Sequence, residues 1–162
     1  MIDSHNIRSR MLNYAILTEL LLADFIREYF FKEKIKATEF SNFILNKEFF
    51  TFEQKIQVFS KLLENYGDLK LTDSHLKEFH VSENQKDLIK KIRYVQKIRN
   101  ILAHNHPFTK ESGEPYVEYF SQNKTKELIL NEAFDKEFFD NYFNVSWILR
   151  ELVNAVKAES SN

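Results

Sequence analysis

The sequence predicts an all-α protein: a helical bundle of four main helices plus a small β-hairpin before the last helix. Three observations lead there. Glycine and proline number two each in 162 residues, too few to punctuate a sandwich, a barrel or a doubly wound sheet. Hydrophobic residues make up 43% of the chain and recur at spacings of three and four over long stretches, as a helix with a buried face requires. The helical period gives way to strand-like patterning in one place, Tyr116 to Leu130, where two short apolar-rich runs flank Gln122-Asn123 as a hairpin would.

The first helix is expected from Asp3 or Ser4 to about Lys34. Ala15, Leu22, Ile26 and Tyr29 share a stripe with Met11 and Leu12, while Leu17, Leu20 and Leu21 make the other side apolar as well. A helix of that kind is central to a bundle or buried on two sides. Phe40 to Phe50 reads as a short helix or an ordered loop. Thr51-Phe52-Glu53-Gln54 has the form of a capping box, in which a Thr and a Gln three residues on satisfy each other's backbone N–H. It opens a helix whose Ile56, Phe59, Leu62 and Leu63 face inward, and Tyr66-Gly67 closes it. Leu71 to His80 is a connector, with His75 and His80 solvated. Ser82, with Gln85 three on, starts a third helix that runs to about His104 and stops before Pro107. Asn131 caps the last helix, which reaches about Ala158 and carries Phe134, Phe138, Phe139, Tyr142, Val145, Ile148, Leu149, Leu152 and Val156. There is no internal repeat and no low-complexity linker. One domain over residues 1–158 is expected, followed by a frayed tail at 159–162.

Composition narrows the chemistry. A chain of this length buries roughly two thirds of its unfolded surface and needs no covalent staples. It has no cysteine, which excludes disulfides, thiolate metal sites and thiol catalysis, and suits a reducing compartment. Its two glycines, Gly67 and Gly113, are too far apart to form a phosphate-cradling loop. The net charge of −1 argues against permanent residence on nucleic acid or anionic lipid. The start, Met1-Ile2-Asp3-Ser4-His5, lacks the basic and then apolar pattern of a signal peptide. The most apolar stretch, Ala15 to Phe31, holds five polar or charged residues, too many for a membrane span. A cytoplasmic location with no membrane partner is expected.

Two charges stand where apolar residues belong. Arg99 lies four after Val95 and three before Leu102, within the stripe Leu88, Ile92, Val95, Leu102. Glu19 lies four after Ala15 and three before Leu22 in the first helix. Unpaired charge on a buried face is strongly unfavourable, so the two are expected to meet or to share a bridging group. A structural inter-helix ion pair accounts for both. The sequence around Arg99 adds a second possibility, for it reads Arg99-Asn100-Ile101-Leu102-Ala103-His104. Arginine beside a phosphate and histidine as proton carrier suffice to cleave RNA through its own 2′-hydroxyl, and histidine titrates near neutrality.

This R-N-x-x-x-H segment, at the end of a long helix in a small helical bundle, resembles the HEPN superfamily. The resemblance implies a metal-independent endoribonuclease of HEPN type, a toxin or defence protein, acting as a homodimer whose two motifs face a shared cleft. It implies Arg99 as the phosphate-binding residue, Asn100 as its polar helper, His104 as general acid or base, and Glu19 as the acidic support on an early helix. RNA would be the substrate, and a protein antitoxin or regulator a partner. Family toxins inactivated by a nucleotidyltransferase carry a Tyr two after the motif His; here that position is His106.

The remaining features are read more plainly. His104 and His106 have no acidic third ligand nearby in sequence, so no metal and no cofactor is expected, and His106-Pro107 forms the helix exit. Lys86, Lys90, Lys91, Arg93, Lys97 and Arg99 stand against Glu83 and Asp87, a solvated face or a path for an RNA backbone. The Phe-rich last helix, Phe49-Phe50-Thr51-Phe52 and Trp147 read as core or interface, and the surplus of large apolar residues points to a dimer contact. The rival reading is a non-catalytic helical-bundle regulator or binding module on the same scaffold.

Overall fold

The computed structural model describes residues 4–48, 50–65 and 85–160. The elements are α1 (Ser4–Phe30), α2 (Lys34–Phe40), a π-helical turn (Ser41–Leu45), α3 (Phe52–Asn65), α4 (Gln85–His104), β1 (Pro107–Thr109), β2 (Pro115–Ser121), β3 (Lys124–Ile129) and α5 (Glu132–Ser160). The fold is mostly helical, as expected, but it is not a plain four-helix bundle with a hairpin.

Three boundaries differ from expectation. The first helix stops at Phe30 instead of running to Lys34, although no Gly or Pro is present. Glu33 adopts an extended backbone at φ −81° and ψ 117°, and the reversal brings the Phe31 ring to 4.8 Å from that of Phe40. Packing overrides propensity here. The hairpin gains a third strand: β1 pairs antiparallel with β2, Pro107 opposite Val117 and Thr109 opposite Pro115. The last helix continues through Ser160, two residues beyond the expected end, into the stretch expected to fray. The Tyr66-Gly67 stop, the Leu71–His80 connector with its two histidines, the Ser82 cap, Phe49 and the last two residues lie outside the described residues.

The start signals behave as their chemistry dictates. Gln54 N–H donates to Thr51 Oγ1 at 3.3 Å while Thr51 N–H donates to Gln54 Oε1 at 2.7 Å, the reciprocal capping box. Phe134 N–H donates to Asn131 Oδ1 at 2.9 Å, so Asn131 caps α5. Gln122 and Asn123 hold φ of 53° and 59°, the left-handed pair of a type I′ turn, whose twist matches that of antiparallel strands.

Contacts fix the helix directions. Arg10 pairs with Asp135 at 2.6 Å, and Tyr14 stacks on Tyr142 at 4.3 Å, so α1 and α5 run the same way. Glu19 meets Lys55 and Phe25 meets Phe59 edge-on at 5.0 Å, so α3 runs with them. α4 is antiparallel to all three: its Leu88 and Ile92 pack with Leu22, Phe25 and Ile26, and its Leu102 with Ile7 and Met11. Two cores result. One is built from helices alone, with Phe25, Phe59, Ile92 and Ile148 fully enclosed. The other is closed by the sheet through Val117, with Leu130 just beyond β3, against Met11, Leu102 and Phe138. Among the described residues no helix is long and apolar enough to cross a membrane.

Candidate functional site

The site is built on α4, whose inner face is fixed by Leu88, Ile92, Val95, Ile98, Ile101 and Leu102, all buried. Arg99 sits at the edge of that face and is half-buried. Its Nη1 donates to Asn100 Oδ1 at 3.0 Å, which draws the guanidinium toward the outer side of the helix. The outer side carries Arg93, Lys97, Asn100 and His104, all exposed, at spacings of four, three and four that align them along one helix face. Arg93 is braced by Glu53 at 3.3 Å. The helix end is held from two directions: Arg8 Nε donates to the Leu102 carbonyl at 2.8 Å, and Asn105 Nδ2 to the Ile101 carbonyl at 2.8 Å. A cation on the last carbonyls of a helix satisfies acceptors that lack intrahelical partners and complements the dipole. His104 and His106 both remain exposed.

Arg99 also lines a pocket of about 480 Å³ between α1, the segment that precedes α3, α3 and α4. Glu19 lines the same pocket, but the expected Glu19–Arg99 pair does not form. Glu19 Oε1 accepts instead from Lys55 Nζ at 2.6 Å, the Lys55 side chain being 7% exposed and that of Glu19 23%. The geometry of the stripes explains the difference. Arg99 and Glu19 both lie at stripe edges and keep access to solvent, whereas Lys55 falls among Phe52, Ile56 and Phe59 on the inner face of α3 and is the charge that most needs a partner. Sequence reasoning passed over Lys55, though its spacing of three after Phe52 and four before Phe59 was the signal.

The four site residues are thus brought together only in part. Arg99 and Glu19 share the pocket, Asn100 and His104 share the outer face, and the Arg99–Asn100 hydrogen bond joins the two. Elsewhere on α4, burial pushes the Tyr94 phenol up to about 12, helped by the charge of Glu137 and a hydrogen bond to it. A neutral tyrosine therefore faces α5 on the flank away from the pocket. Among the described residues no group of three or more His, Asp or Glu side chains is placed to hold a metal ion.

Compared with protein-family models, with curated proteins and with solved structures, the chain finds no match in any of the three.

Proposed function

We propose that the protein is an endoribonuclease of HEPN type that needs no metal ion and works as a homodimer. Arg99 would neutralise the scissile phosphate, Asn100 would hold its guanidinium, and His104 would carry the proton. The 2′-oxygen bonds to phosphorus, the bond from phosphorus to the 5′-oxygen breaks, and the proton of the 2′-hydroxyl ends on that leaving oxygen. The products are a 2′,3′-cyclic phosphate and a 5′-hydroxyl. The observation that carries this reading is the Arg99–Asn100 hydrogen bond beside an exposed His104. It links an arginine in a pocket to a helix face that also bears Arg93 and Lys97, cations suited to an RNA backbone. Exposed Leu17, Phe139 and Phe143, on adjoining faces of α1 and α5, offer apolar surface for the second copy. In a toxin or defence role, a protein regulator would restrain the activity.

One observation favours the non-catalytic reading. Five residues along a helix place Arg99 and His104 about 140° apart, so a single chain does not aim both at one phosphate. A second copy would have to supply the missing group. The test is cleavage of a mixed RNA pool in chelator by the wild type and by His104→Ala, with melting points matched. The wild type should cut RNA and leave the same sequence in DNA whole. His104→Ala should lose about 10²–10⁴-fold. Intact RNA, or equal cutting by both proteins, replaces the enzyme with the binding module.

A further inference from the structure

Lys55 is the least solvated cation in the Arg99 pocket. An ammonium group has three donors. Among the described residues that of Lys55 meets one partner, Glu19 Oε1. Arg99 has five donors and commits Nη1 to Asn100. Removing charge from water is compensated only when the remaining donors are also satisfied. Leu20 and Phe50 line the same pocket, and its volume of about 480 Å³ lies in the range of small-molecule sites. Cations and apolar or aromatic side chains in one pocket suit the two halves of what a nucleotide presents: an anionic phosphate and a flat base.

We infer that this pocket seats one nucleotide of the bound strand, its phosphate on Lys55 and Arg99 and its base against Phe50 and Leu20. Glu19 is then the resident counter-ion: it neutralises Lys55 in the empty pocket and competes with the phosphate for it. Lys55 is a substrate-positioning residue on α3, outside the R-N-x-x-x-H segment. The choice of a ribonucleotide as ligand rests on the ribonuclease reading; the anion site rests on the pocket.

Calorimetric titration of the wild-type chain with adenosine 3′-monophosphate, adenosine and inorganic phosphate tests this without any cleavage step. The nucleotide should bind saturably and more tightly than either fragment. Glu19→Gln removes a like charge from beside the phosphate and should tighten nucleotide binding by about fivefold, the effect of one such charge at contact range in water. Lys55→Met alone would strand Glu19, so the informative partner is the double variant Glu19→Gln/Lys55→Met, which leaves neither charge unpaired. It should bind at least about tenfold more weakly than Glu19→Gln. A purely structural ion pair would alter melting temperature in these variants and leave affinity unchanged, and that result overturns the inference. So does an absence of saturable binding to the wild type at millimolar nucleotide. Binding with this variant pattern in a protein that cuts no RNA would uphold the pocket and defeat the ribonuclease reading. His104-dependent cleavage without nucleotide binding would do the reverse.

Discussion

The two halves of α4 live in different surroundings. Its N-terminal half lies in an enclosure of helices, where Leu88 and Ile92 meet α1, α3 and α5. Its C-terminal half is packed by α1, α5 and Val117 of the sheet, and its last turn is tied down by Arg8 and Asn105 through polar groups. The first arrangement maximises buried apolar area. The second stops short of wrapping the helix and leaves Asn100 and His104 in solvent. A helix that is anchored by its first half and presented by its second carries its exposed side chains on a rigid support.

The largest effect should come from breaking the enclosed half. Phe59 is fully buried and meets Phe25 edge-on, so Phe59→Ala should lower the unfolding free energy by about 3–5 kcal/mol, measured by urea denaturation. Amide exchange should quicken more at 88–92 than at 98–102. An equal loss of protection along all of α4 would mean that the two halves form one cooperative unit. Next is Glu19→Ala. It orphans Lys55 next to the enclosed core, and a loss of about 3 kcal/mol is expected; unchanged stability would show that Lys55 reaches water. Asn131→Ala removes the cap of α5 beside the sheet-closed half and should cost about 1 kcal/mol, seen as a small drop in melting temperature. The smallest effect on stability belongs to Arg99→Ala, within about 0.5 kcal/mol, because Arg99 is half-exposed and is not the partner of Glu19. On the proposed ribonuclease reading the same variant should abolish RNA cleavage, and retained cleavage would remove Arg99 from that proposal.

Local chemistry was the legible part of this molecule. The Thr51–Gln54 box, the Asn131 cap and the left-handed turn at Gln122-Asn123 each follow from residues within four positions of one another, so the sequence contains the whole interaction. The break at Phe31–Glu33 and the pairing of β1 were not legible, because each depends on a partner elsewhere: the ring of Phe40 for one, the edge of β2 for the other. The candidate site divides in the same way. Arg99, Asn100 and His104 are neighbours in sequence and were found by their spacing. The partner of Glu19 is Lys55 and not Arg99: the spacing of Lys55 between Phe52 and Phe59 marks it as inward, but which of two cations an acid meets depends on how α1, α3 and α4 pack.

The parallel course of α1 and α5 governs when this fold can form. Arg10 and Asp135 are 125 positions apart, and Phe138 and Tyr142, which share a core with Met11 and Ala15, are made as late. At synthesis rates of about 5–20 residues per second, α1 waits about 6–25 s for its partner. During that interval Met11, Ala15 and Leu22 stand without their final cover on a nascent chain. The core that Phe138 and Tyr142 close is therefore completed late in synthesis.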